Sequence, residues 1–499
     1  MPVLLPVRPS LDQYRRQAKE LLRAGRAGDP AAIARFRRYH PEFRRDGDGT
    51  VAPEAIRLSD AQWVLAREHG FSSWPKFARH LRRVIETGNE CHPFERDVAY
   101  YEGRAYGLWS VLQTGDPRAI ELVRLFHPRF AGASDAAIRA GVTEEEARLV
   151  TAREHGCDSW PDLVARIEAL ATGARVEPFM EAFAAIRAGE IGTLRALLRQ
   201  HPWLANAKGT NGNRLLTLAT SMRQTSAVRL LLRAGADPNL PNNKGWTPLH
   251  AVAYGGQRSR RECFEILEML VAAGASPTMS AHGDGGTPLV QALFWGHAEM
   301  AERLAELAID PENLRVAAGL GRVDLVQACF DADGNLLPHA GAHRAFHRPH
   351  SGFPAWIPSN DRQEILDEAL TYAARNGRVA VLPLLVERGA DVNADPYRGT
   401  PLAWAAACGR HEVVDWLLDH GADVNRRGTF GGPQHGEGVI ALHLAAQNGD
   451  EAMVRHLLER GADPTIADGI YHSTPAGWAR HFGHEEVARL IESWPRHTE

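Results

Sequence analysis

The sequence predicts an all-α solenoid: pairs of short helices stacked one on the next, joined by extended fingers and preceded by a duplicated helical region. Three observations carry that prediction. The first is a recurrent frame, in which a cap slot is followed nine positions later by a Gly and twelve beyond that by a terminating residue. It fits Thr400, Gly409 and Gly421, then Ile440, Gly449 and Gly461, then Thr287, Gly296 and Ala308, and then Glu368, Gly377 and Gly389. A fixed short period marks repeat architecture. The second is a longer repeat near the start, where Ala66-Arg67-Glu68-His69-Gly70 with Ser73-Trp74-Pro75 returns 86 residues later as Ala152-Arg153-Glu154-His155-Gly156 with Ser159-Trp160-Pro161. The third is length: 499 residues exceed one ordinary core, so the chain is several domains or an array growing along one axis.

Each part of the frame has a physical job. In Thr247-Pro248-Leu249-His250, Thr287-Pro288-Leu289, Thr400-Pro401-Leu402 and Thr474-Pro475, threonine offers a cap oxygen and proline takes the first helical position, where its missing N–H is no loss. Small residues such as Ala405, Ala406 and Ala407 let neighbouring helices approach closely. Gly409 permits the turn into a second helix, His411 to His420, whose Leu417 and Leu418 belong to a buried stripe. Gly421 suits the left-handed position that ends that helix, and Ala422-Asp423-Val424-Asn425 begins the finger.

These residues resemble the ankyrin repeat, with its T-P-L-H-x-A opening and period of roughly 33 residues. The resemblance covers 178–495, with units opening near Met180, Arg214, Thr247, Thr287, Glu312, Glu368, Thr400, Ile440 and Thr474; those at 180, 214 and 312 depart most from the pattern. The two early copies, 9–84 and 93–172, form separate helical units. Each holds a Gly-Asp-Pro followed by His-Pro, Gly28 with His40 and Gly115 with His127, at the same spacing of twelve as Gly189 to His201. They read as degenerate helix pairs followed by a helix ending at the Glu-His-Gly motif. The Trp-Pro segment resembles stretches of bacterial ankyrin-containing proteins, which adds lineage without chemistry. This early region is expected to cover the apolar end of the stack.

Composition excludes several classes. No apolar run approaches the roughly 18 residues that suggest a membrane span, so no membrane partner is expected. Met1 to Leu11 has neither a preceding basic region nor a small-residue cleavage site, which makes the cytoplasm the expected location. Five scattered cysteines argue against a disulfide framework or a clustered zinc site. The first 84 residues carry 17 Lys/Arg against 9 Asp/Glu, leaving −12 for the remainder of a chain whose total is −4. Nucleic acid is therefore a second-choice partner, since no reading module accompanies the basic helices.

The frame breaks at insertions, and in a solenoid these often mark the working face. The longest, 334–367, contains His339, His343, Arg344, Phe346, His347, Arg348, His350, Phe353 and Trp356. A smaller one, 426–439, contains Phe430, His435 and Glu437. A third, Gln257 to Glu262, lies between the two helices of its unit and is expected on the opposite edge. The expected function is protein–protein interaction through the finger loops and the adjoining concave surface. Its expected contacts are His343, Arg344, Phe346, His347, Arg348, His350, Phe353, Trp356, Phe430 and His435, with Tyr397 and Arg398 on the finger before Thr400. Aromatic and arginine side chains are the usual anchors of such surfaces.

The alternative is an enzyme with a site between the two insertions, using His347, His350, His435 and Glu437 as acid, base or metal ligands. No cofactor is expected; a transition metal held by the histidines belongs to the alternative, although Pro338, Gly341, Pro349, Gly352 and Pro354 argue against one long helix to align them. His250 and His443 occupy the usual place in the opening motif and read as structural hydrogen-bonding residues.

Overall fold

The computed structural model describes residues 10–495, apart from 42, 44–52, 70, 72, 88–96, 114–116, 156, 173–177, 210–211, 243–244, 256–259, 282, 345–357 and 430–436. Among the described residues the regular secondary structure is helical. Beside the helices lie three isolated β-bridges, Lys208 to Arg214, Phe330 to Leu336 and Gly428 to Val439. Two compact units emerge, one within 1–243 and 265–274, the other within 244–264 and 275–499.

The first unit opens with α1 (Leu11–Arg26), α2 (Pro30–Tyr39), α3 (Leu58–Glu68) and α4 (Trp74–Thr87). A second set follows: α5 (Val98–Gln113), α6 (Pro117–Phe126), α7 (Asp135–Gly141), α8 (Glu144–Glu154) and α9 (Trp160–Thr172). The repeated Glu-His motif ends a helix in both sets, and its side chains turn inward. His69 meets Tyr14 edge-on at 5.1 Å, and His155 meets Tyr101 at the same distance. The buried Glu68 takes both ends of the Arg35 guanidinium at 2.7 Å, while Glu154 pairs with Arg104 at 3.4 Å. A buried carboxylate needs such a partner, so the motif is accounted for by packing.

Two helix pairs complete this unit: α10 (Pro178–Ala188) with α11 (Ile191–Gln200), and α12 (Leu215–Ser221) with α13 (Thr225–Arg233). Ala188 of α10 joins Tyr14, Phe71, Phe77 and Leu81 in one buried cluster, and Arg187 donates to the His69 carbonyl at 2.8 Å. The first copy thus covers the apolar side of α10, as an end cap of a repeat stack must.

The division between units passes through α15 (Arg260–Ala272), which follows α14 (Pro248–Tyr254). The second unit continues with α16 (Pro288–Phe294) and α17 (Ala298–Ala305), α18 (Leu314–Leu320) and α19 (Val323–Ala328), and α20 (Arg362–Arg375) and α21 (Leu382–Glu387). It ends with α22 (Pro401–Ala407) and α23 (His411–Asp419), α24 (Ala441–Asn448) and α25 (Glu451–Glu459), and α26 (Pro475–His481) and α27 (Glu485–Ser493). Helices α18, α20, α22, α24 and α26 pack each on the next, and one continuous core runs from Leu314 to Ile491.

The caps behave as the frame requires. Thr287, Thr400 and Thr474 accept the N–H groups of Val290, Ala403 and Gly477. Gly409 and Gly421 sit at φ +65° and +91°, a backbone region that costs glycine little and other residues more. His250 closes its cap differently: Nδ1 accepts the Thr247 N–H at 3.2 Å, so Nε2 carries the proton and donates to the Gly286 carbonyl at 3.0 Å. His443 repeats this between Ile440 and Ser473.

One slot departs from expectation. The frame reads Glu368 as a cap, whereas α20 begins six residues earlier behind Asp361, whose side chain accepts the Gln363 N–H. Arg362 to Asp367, counted above as insertion, are helical. Gln363 then donates to the Gly389 carbonyl at 2.8 Å and Asp367 accepts the Asp391 N–H at 2.7 Å. Elsewhere one finger asparagine performs both tasks.

Candidate interaction surface

The finger tips are held by a ladder of asparagines. Asn393 donates to the Gly421 carbonyl at 2.9 Å and accepts the Asp423 N–H at 2.8 Å. Asn425 does the same to Gly461 and Asp463, at 3.2 and 2.8 Å. Each rung satisfies a carbonyl left over at a helix end and an N–H of the next finger. Within each finger, Asp391, Asp423 and Asp463 turn back to accept the N–H two residues on. Consecutive tips are therefore fixed relative to one another by hydrogen bonds on both sides.

The insertions leave this ladder through pinned necks. Phe330 and Leu336 form the first bridge, and Pro338–Gly341 makes a short turn that buries Ala340 in the core. Arg344 then reaches under the chain. It donates from Nε to Glu368 Oε2 at 2.6 Å, from Nη2 to Glu364 Oε1 at 2.8 Å and from Nη1 to the Ser359 carbonyl at 2.7 Å. Glu364 also accepts the Ser359 N–H at 2.8 Å and its hydroxyl at 2.9 Å, so Arg344 and Ser359 are tied together by two side chains. The second neck is closed by backbone: Gly428 donates to the Val439 carbonyl at 2.9 Å and Gly438 to the Gly428 carbonyl at 2.8 Å, with the Thr429 hydroxyl on Asp395 at 3.0 Å.

Two of the expected contacts change role as a result. Arg344 is buried at 3% exposure, so it cannot present its guanidinium to a partner; it anchors the neck because Glu364 and Glu368 draw it inward. Arg398 is buried as well, at φ +66°, with its carbonyl taking the Trp404 indole N–H at 2.9 Å. Burial pulls the Arg398 guanidinium down to about 9, with the nearby Arg375 charge adding to the fall. His343 remains exposed at φ +54°, with Nδ1 2.8 Å from Asp284. Tyr397 is half-buried beside Arg398, and Glu437 is exposed, its backbone carbonyl accepting from Gly469. Phe346, His347, Arg348, His350, Phe353, Trp356, Phe430 and His435 lie outside the described residues. Among the described residues no group of three His, Cys, Asp or Glu side chains is placed to hold a metal, and no helix is long and apolar enough to cross a membrane.

Sequence reasoning missed the pair beneath the neck. Arg315 donates to Glu368 Oε1 at 2.8 Å, so one buried carboxylate serves two guanidiniums. Burial alone would raise the Glu368 carboxyl, but the charges of Arg315 and Arg344 outweigh it and hold the group below its ordinary range. A signal was present: Arg315 stands in the first turn of α18, two positions after its cap Asn313, and is buried. An arginine there requires a carboxylate.

These stacked pairs, capped by Thr-Pro and laced by finger asparagines, define a helical repeat protein with long connectors between some of its repeats. Family models described as ankyrin repeats match residues 182–281, 225–315 and 354–428, and a further model of the same description matches 402–458. The Notch-regulated ankyrin repeat-containing protein of Xenopus tropicalis is 34% identical over 77 residues, covering 15% of this chain and 68% of that protein. The chain belongs to the ankyrin-repeat family. Ankyrin repeat domain-containing protein SAT10 of Stachybotrys chartarum is 28% identical over 200 residues, 39% of this chain and 9% of that protein. Neurogenic locus notch homolog protein 4 of Homo sapiens is 33% identical over 106 residues, 21% and 5% respectively. The chain thus spans under a tenth of the length of these two larger relatives. The family matches stop at 315 and resume at 354, which leaves out most of α18, all of α19 and the first neck.

Proposed function

We propose that this chain is a protein-interaction module whose partner is bound by the finger edge and the two insertions of the second unit. The observation that carries this reading is the pairing of rigid necks with long connectors: Arg344 pins one insertion at its base and the Gly428 to Val439 bridge pins the other. A pinned base limits the freedom lost on association, which is where such loops gain affinity. The aromatic and basic residues in the sequence of the two insertions, Phe346, Arg348, Phe353, Trp356 and Phe430, are of the types that dominate protein interfaces. Ankyrin repeats in the relatives, the Notch-regulated proteins among them, support the same reading. Segments 9–84 and 93–172 act as duplicated covers for the 178–495 array, and the cytoplasm is the proposed place of work.

The test removes 345–357 and joins the ends through a short Gly-Ser link, keeping Arg344 and Ser359 so that the neck survives. A protein recovered with the full chain should be lost from this variant while its helical circular dichroism is unchanged. Recovery of the same protein at undiminished affinity would reject this placement of the surface.

A further inference from the structure

The inner helices of the second unit carry more polar groups than the protein itself satisfies. Four positions after the cap slot the frame places Gln291 on α16, Tyr372 on α20 and Trp404 on α22; one turn further stand Phe294 and Arg375. All five are buried. The Phe294 ring lies 6.5 Å from Tyr372 and 5.8 Å from Trp404, with the Arg315 guanidinium 5.6 Å from the Tyr372 ring, and Gln291 stands one turn before Phe294 on the same helix.

Gln291 is 1% exposed and neither its Nε2 nor its Oε1 meets a hydrogen-bond partner. The Tyr372 hydroxyl and Arg315 Nε are buried without one too. Buried amides and hydroxyls are seldom left so. The charge is also unbalanced. Glu368 is shared by Arg315 and Arg344, while Arg375 has no carboxylate among the described residues. Its guanidinium lies over Trp404, Tyr372 and Phe294 at 3.9, 4.8 and 4.9 Å, and its hydrogen bonds run to the carbonyls of Phe294 and Thr371. Burial pushes it down to about 10.

We propose that this inner face binds a small oxyanion bearing its own hydroxyl, held between Gln291, Tyr372, Arg315 and Arg375. The oxyanion accepts from Gln291 Nε2, the Tyr372 hydroxyl and the guanidiniums, which pair well with such groups. Its hydroxyl donates to Gln291 Oε1. Hydrogen phosphate and 2-hydroxycarboxylates share that chemistry. The site goes beyond the protein-binding reading, and its failure would leave that reading untouched.

The experiment measures the melting temperature of the full chain in sodium phosphate, glycolate, acetate and chloride at one ionic strength and pH 7. Phosphate or glycolate near saturation should raise it by about 3–6 °C, and acetate, which lacks the hydroxyl, by less than half as much. Which of the two acts identifies the inorganic or the organic source. Gln291→Leu and Tyr372→Phe, both close in volume to the native side chains, should abolish the rise. Equal melting temperatures in all four salts would overturn the proposal and leave these atoms to water. So would a rise that persists unchanged in both variants.

Discussion

Arg315 and Glu368 meet at 2.8 Å although 53 residues separate them in the chain, and neither side chain exposes more than 6% of its surface. The same carboxylate holds Arg344, so one residue of α20 fastens both α18 and the neck of the long insertion. Glu368→Gln should cost about 3–5 kcal/mol, because it leaves the buried Arg315 guanidinium without a counter-charge and Arg344 with Glu364 alone. Urea unfolding at pH 7 checks this. Glu364→Gln, which touches Arg344 and Ser359 but not Arg315, should cost less than half as much.

Acid should weaken the fold through two histidines. Burial pushes His250 and His443 from 6.5 down to about 4. Between those values the unfolded chain binds protons that the folded chain refuses, so their contribution is complete above pH 6.5 and is lost as the pH falls toward 4. Each histidine contributes on the order of 2–3 kcal/mol across that window. Urea midpoints at pH 7.5 and 5.0 should differ strongly in the native protein, and less in His250→Asn and His443→Asn. Equal pH dependence in native protein and variants would refute the buried neutral state.

Glycine substitutions should separate backbone strain from close approach. Gly235 and Gly296 both sit at positive φ, but a Cβ on Gly235 meets nothing within 4 Å, whereas on Gly296 it meets Cys408 Sγ at 2.5 Å and the Arg375 carbonyl at 2.8 Å. Gly235→Ala should cost about 1 kcal/mol and Gly296→Ala at least twice that. Arg410 bonds the Gly296 carbonyl at 2.7 Å, so the displaced helix end also loses a partner. Thermal melting of the two variants measures the difference.

Asn393→Ala should remove a rung of the finger ladder and cost about 1–2 kcal/mol. The faster amide hydrogen exchange that follows should centre on Asp423, whose N–H loses its acceptor. Exchange spread evenly along the chain would contradict a local ladder.

Much of the fold was legible because its signals are local. Thr-Pro openings, paired glycines and alanine runs each act within one helix turn, and the pairs at 400, 440 and 474 follow the frame. The helix before Gly377 was misjudged at its start because Glu368 fits a cap slot while its partners, Arg315 and Arg344, lie 53 and 24 residues away. The candidate surface was less legible for the same reason. An arginine in a histidine-rich connector reads as exposed until the carboxylates beneath it are known, and Arg398 next to Tyr397 reads as a finger tip until Trp404 is seen to bond its carbonyl.

The proposed surface is tested most directly by a photo-crosslinking amino acid placed singly at His343, Tyr397 and Glu437, and at the exposed outer-helix positions Glu412 and Arg455 on α23 and α25, the second helices of their pairs, in the full chain within cells. One protein should be crosslinked from the first three positions and from neither of the last two. Crosslinks of equal yield from the outer helices, or from those positions alone, would contradict a partner bound at the fingers and insertions.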